Sequence, residues 1–71
     1  MPDSVYRVIR VVGSSPNSWE EAATNAINSA GHSMEDLRVA EVDKLDMKIE
    51  NNRIAAYRAL LSLSFRYHEH G

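Results

Sequence analysis

Apolar and polar positions change their period along the chain. From Ser4 to Val12 the run SVYRVIRVV is dense in β-branched residues and mixes apolar side chains into both registers, Val5, Ile9 and Val11 against Tyr6, Val8 and Val12. That pattern predicts a strand over about 4–12 with protein on both faces. Gly13-Ser14-Ser15-Pro16-Asn17 is turn chemistry. Ser18 then offers an N-cap hydroxyl with Glu21 three residues on, and Ser15 followed by Pro16 is a rival start. Trp19, Ala22, Ala23, Ala26, Ile27 and Ala30 follow helical spacing, while Glu20, Glu21, Thr24, Asn25 and Asn28 face away. A helix over about 18–30 follows, closed by Gly31 as its C′ residue.

The second half has a period of two. Leu37, Val39, Glu41, Asp43, Leu45, Met47 and Ile49 share one side, opposite Arg38, Ala40, Val42, Lys44, Asp46 and Lys48, which predicts a strand over about 36–49. The Asn51-Asn52 pair tolerates the positive φ angles of a tight hairpin turn. A last strand over about 53–67 carries an apolar side of Ala55, Tyr57, Ala59, Leu61, Leu63, Phe65 and Tyr67. The order is β-α-β-β, an α+β chain whose three-stranded antiparallel sheet packs on one helix. Each hairpin strand reaches over about 40 Å, whereas a helix of ~13 residues covers roughly 20 Å. One alanine-lined helix leaves sheet uncovered, and further copies of the chain are the economical cover.

Composition supports that reading. With 71 residues, a formal charge of −2 and no cysteine, the chain is one small domain without disulfides or thiolate zinc sites. Domains of this size bury only about 60% of their unfolded surface and commonly lean on partner subunits. Eight basic residues scattered among ten acidic ones provide no phosphate-backbone track, so nucleic acid is not an expected partner. No apolar run approaches the ~20 residues of a membrane span, so no membrane partner is expected either. Met1-Pro2-Asp3-Ser4 does not resemble an export signal, and the expected location is cytoplasmic.

Candidate chemistry is sparse. There is no cysteine and no G-x-S-x-G elbow, and Gly13, Gly31 and Gly71 are too far apart to cradle a phosphate. His68-Glu69-His70 reads as a tail, and Trp19 as a packing anchor in register with the alanines. An enzyme is not expected. Glu41 and Asp43 interrupt an apolar register and need cations, water or a hard metal ion, with Arg7, Arg10, Arg58 and Arg66 as possible ion-pair partners. Asp46 falls in the polar register, where solvent is the default.

The layout resembles the dodecin family from Tyr6 to Tyr67. The matching stretches are Val5-Tyr6-Arg7-Val8-Ile9, Val12-Gly13-Ser14-Ser15-Pro16, Ser18-Trp19-Glu20-Glu21-Ala22-Ala23, Ala40-Glu41-Val42, Tyr57-Arg58 and Ser64-Phe65-Arg66. The resemblance implies β-α-β-β subunits assembled as a hollow homododecamer that binds a small ligand for storage or sequestration, commonly flavins in pairs. It places Val39, Glu41 and Arg58 at the flavin pocket. Val39 stands where flavin-binding members carry a stacking tryptophan, Arg58 replaces a glutamine, and Asp46-Met47 replaces an Arg-Gly pair. Ser15 through Glu20, Leu37-Arg38-Val39-Ala40 and Asp46-Met47 are similar to the calcium dodecin subgroup. Ca²⁺ is therefore the expected cofactor, with Asp46, Glu41 and Asp43 as candidate ligands and the loop oxygens of Ser14, Ser15 and Asn17 as a second candidate set. FMN or riboflavin in an altered pocket is the alternative.

Overall fold

The computed structural model describes residues 5–33 and 36–66, the side chains of 32 and 33 excepted. Its elements are β1 (Tyr6–Ser15), α1 (Trp19–Ser33), β2 (Leu37–Glu50) and β3 (Arg53–Arg66). The expected tail histidines His68 and His70, and the strand end at Tyr67, lie outside the described residues. β3 is the central strand of a three-stranded sheet, antiparallel to β1 on one side and to β2 on the other.

Gly13 and Gly31 both depart from their expected roles. β1 does not stop at Gly13 but runs on to Ser15. Gly13 is where α1 presses closest: an added methyl would collide with the Ala22 carbonyl and come within 2.8 Å of the Ala26 Cβ. Its role is close approach, not chain reversal. Gly31 does not terminate α1, which continues to Ser33 with no glycine at positive φ. The left-handed residue before β2 is Asp36 at φ 64°, whose carbonyl accepts the Arg66 N–H at 3.1 Å and whose carboxylate accepts from Arg38 Nε at 2.8 Å. Asn51 and Asn52, at φ 52° and 62°, form the expected hairpin turn.

The core lies between α1 and the β1–β3 pair. Ala22, Ala26 and Ala30 meet Ala59, Leu61, Leu63 and Phe65, flanked by Ile9, Val11, Ala23, Ile27 and Leu37. Small helix residues bring the backbone against the sheet while β3 supplies the volume. β2 receives little of this cover. From Arg38 to Glu50 every residue of β2 is exposed, including Val42, Leu45 and Met47 at 50%, 52% and 42%. The subunit is correspondingly elongated, 54 × 20 × 14 Å, against the roughly 22 Å of a 15-residue helix. Among the described residues, no helix is long and apolar enough to cross a membrane.

Candidate functional site

The candidate residues are placed by the register of β2 on β3, and bulges set that register. Val42 pairs with Leu61 and Lys44 with Leu60, so Asp43 is an extra residue; Arg38 is likewise extra between Leu37 and Val39. Because side chains alternate, one extra residue exchanges the two faces of a strand. Leu45 and Met47 therefore take the side of α1 opposite Ala59 and Tyr57, as do Ala40 and Val42 opposite Leu63 and Leu61. Val39 and Glu41 move to the other side, opposite Ser64 and Ser62. The expected grouping of Val39, Glu41 and Asp43 with Leu45 and Met47 is thus corrected by a bulge that simple alternation does not register.

The side of the sheet turned away from α1, here the open face, is a series of cross-strand rows. Val8, Ser64 and Val39 form one; Arg10, Ser62 and Glu41 the next; Val12, Leu60 and Lys44 a third; Ser14, Arg58 and Asp46 a fourth. Val8, Val12 and Val39 are each more than half exposed. Asp43 joins the second row, accepting from Ser62 Oγ at 2.5 Å with Arg10 Nη2 at 3.6 Å. Arg10 is thus the cation among the anticipated alternatives that meets Asp43. Glu41 has no partner among the described residues.

Asp46 is exposed, as its polar register implies, but it is also paired. Arg58 Nε and Nη2 donate to its two carboxylate oxygens, each at 2.8 Å, in a bidentate pair. The Arg58 hydrogen bonds, with help from the charges of Arg58 and Lys44, hold the Asp46 carboxyl below its ordinary value, and the same pair raises Arg58. The Asp46 carbonyl also accepts the Trp19 indole N–H at 2.9 Å, and Trp19 meets the Tyr57 ring edge-on, centroids 5.0 Å apart.

These placements bear on each candidate ligand set. Val39 and Arg58 share the open face but lie six β3 positions apart by their partners Ser64 and Arg58, about 20 Å along the strand, so one subunit does not bring them into a pocket. Asp43 and Glu41 meet at Ser62, whereas Asp46 is four β3 positions away, about 13 Å. Among the described residues no three His, Cys, Asp or Glu side chains are grouped to hold a metal ion. A hard cation taking six to eight oxygens does not fit these acids within one subunit. The loop set fares no better. Ser15 is 1% exposed, donates to Glu21 and accepts from the N–H groups of Asn17 and Ser18 at 2.9 and 3.4 Å. A hydroxyl has one proton and two lone pairs, so Ser15 is fully committed to the helix start. Asn17 also donates to Glu21 at 2.8 Å, and these two donors, Ser15 foremost, lower the Glu21 carboxyl.

Alternation does not reveal the hydrogen bond of Ser62 to Asp43, the contact of Tyr57 with Trp19 or the pairing of Asp46 with Arg58. Asp46 meets Arg58 because β3 has an extra residue, Ala55, between the partners of Ile49 and Lys48. Without it, counting from the Asn51-Asn52 turn would set Asp46 opposite Tyr57.

Residues 5–68 match the family model for dodecin. The chain belongs to the dodecin family. It is 44% identical over 63 residues, 89% of each chain, to calcium dodecin of Mycobacterium tuberculosis. Its structure superposes on dodecin of Streptomyces coelicolor with a TM-score of 0.91 and 34% identity, over 99% of this chain and all of the other. It also superposes on a structure of the M. tuberculosis calcium dodecin, described as calcium chelating with a novel calcium-binding site, at TM-score 0.82 and 43% identity over 92% and 93% of the two chains. The dodecin fold here is the three-stranded antiparallel sheet on one helix, in the order β-α-β-β, that the hydrophobic pattern implies.

Proposed function

We propose that this dodecin is a noncatalytic subunit of a hollow homododecamer that binds or stores a small ligand or cation, Ca²⁺ first. The observation that carries the reading is β2: a strand exposed from Arg38 to Glu50, whose acids sit on an open face among exposed valines. Such a face has no reason to exist on an isolated chain, since it leaves apolar area in water and carboxylates without a closed site. A second copy laid against it removes the valines from water and brings further oxygens to Glu41. Calcium in this reading is shared between copies, because the acids of one subunit do not form its coordination set. The similarity to a calcium-chelating relative supports the choice of ion.

Flavin through the Val39, Glu41 and Arg58 positions has less support. Val39 offers no ring on which to stack, and Arg58 is already occupied by Asp46. A noncatalytic role is supported by the same economy: Asp43 and Asp46 are engaged by arginines.

Native mass spectrometry of the untagged protein gives the subunit number, with twelve expected. Calorimetric titration of the metal-stripped assembly with Ca²⁺ and Mg²⁺ gives the ion, with saturable heat for Ca²⁺ at lower concentration expected. Twelve subunits with only dilution heat would retain the shell and remove calcium from it.

A further inference from the structure

Asp46 is held at two points. Its carboxylate meets the Nε–Nη2 edge of Arg58 on the open face, and its carbonyl receives the indole N–H of Trp19, the first residue of α1. We infer that Asp46 is a built-in counter-anion that closes Arg58 to anionic ligands, phosphate-bearing ones above all, with Trp19 as the positioning residue that keeps it in place. This rests on the reading of the open face as the ligand face and adds the class of ligand that the face rejects.

A guanidinium binds carboxylate and phosphate best through two parallel N–H donors, and Arg58 spends two donors of one edge on its own chain. An incoming phosphate must displace a tethered carboxylate or bind beside it against like charge. With side chains 47% and 48% exposed, the pair lies in solvent, where ion pairs contribute little to folding. Its consequence is therefore in recognition. An exposed pair also loses side-chain entropy when ordered, and here that loss is reduced by independent fixation: Trp19 anchors the Asp46 backbone, and the Trp19 ring rests on Tyr57, the neighbour of Arg58 in β3. Lys44 is the further cation acting on Asp46, and Ser14, across the row on β1, carries no charge. The row of Ser14, Arg58 and Asp46 therefore offers an anion no open guanidinium edge on its Nε side.

The test is thermal unfolding of the assembled protein in inorganic phosphate against sodium chloride at equal ionic strength. A ligand bound only by the folded state raises Tm by mass action even when binding is weak. The wild-type protein is expected to show the same response to phosphate as the Asp46→Asn/Arg58→Gln double variant, which records the general salt effect. Asp46→Asn alone should gain an extra rise in Tm corresponding to at least about tenfold tighter phosphate binding. Trp19→Phe, which keeps the ring but not the donor, should fall between. Equal phosphate responses in wild type and Asp46→Asn overturn the inference, as does a gain that persists in the double variant. Should Asp46→Asn fail to assemble, the Arg58 Nε–H NMR signal of the wild type decides: a saturable shift with phosphate sinks the idea, and a static signal upholds it. Loss of the calcium reading would leave these outcomes unchanged.

Discussion

The indole N–H of Trp19 donates to the carbonyl oxygen of Asp46 at 2.9 Å, tying the first residue of α1 to the middle of β2. Little else joins these two elements, because the core lies over β1 and β3. Trp19→Phe therefore removes one hydrogen bond while retaining most of the contact with Tyr57. It should cost about 1 kcal/mol, and Trp19→Ala about 2 kcal/mol or more, in denaturant unfolding. Hydrogen exchange should localise the Trp19→Phe loss to β2 around Asp46. Uniform loosening of the whole sheet would contradict the tie.

The two internal glycines should respond in opposite directions. Gly13→Ala forces a methyl into the Ala22 carbonyl and should destabilise by about 1–3 kcal/mol through overpacking, since its φ is not positive. At Gly31 an added Cβ meets nothing within 4 Å and the backbone is helical. Gly31→Ala should stabilise by about 0.5 kcal/mol, mainly by restricting the unfolded chain. Equilibrium unfolding of both variants checks the pair, and a destabilising Gly31→Ala would contradict the open site.

Why the fold was legible and the site only partly so comes down to what a period records. The alanine stripe from Ala22 to Ala30 and the apolar side of β3 from Ala59 to Phe65 are periodic, and they meet as the pattern requires. The hairpin turn was legible because Asn-Asn tolerates two positive φ angles. Bulges have no comparable signature here. Nothing about Asp43 or Ala55 in the sequence marks an extra residue, yet these two positions bring Glu41 to the open face and Asp46 to Arg58. Alternation alone therefore identified the acids and misjudged the company of Glu41 and Val39. Gly13 and Gly31 are ambiguous for a related reason: glycine marks a turn, a C-cap and a close packing contact alike, and only the tertiary neighbours distinguish them.

The knot at the helix start gives the protein an acid-sensitive element. Ser15 and Asn17 donate to Glu21 and lower its carboxyl below the usual value of 4.5. A carboxylate depressed in the folded state contributes stability above its unfolded pKa, and that contribution is lost as pH falls through 4.5 toward the lowered value. Glu21→Gln should therefore be less stable than wild type at pH 7, with the difference shrinking through the acid range and vanishing below the folded pKa. Ser15→Ala should cost about 1–2 kcal/mol at neutral pH, since the N–H groups of Asn17 and Ser18 lose their acceptor as well. In that variant the Glu21 carboxyl, followed by carbon-13 NMR, should titrate at higher pH than in wild type. An unchanged titration would show that Ser15 does not set it.

The open face and the core should separate assembly from folding. Val12 is 55% exposed on the subunit, opposite Leu60 on the side away from α1, so its side chain adds little to the fold of one chain. Val12→Glu places a charge where the proposed shell needs an apolar contact, and burying it unpaired is costly enough to block association. Sedimentation should then show species smaller than the wild-type assembly, while circular dichroism retains the β-α-β-β signature at low temperature. Leu61→Ala acts the other way. Leu61 is 1% exposed in the core, and its truncation should cost about 2–5 kcal/mol and lower Tm before it alters subunit number. Wild-type-sized assemblies from Val12→Glu would mean that this part of the open face is not an interface between copies, and the shell would have to close through the exposed residues Val42, Leu45 and Met47 on the opposite side of β2.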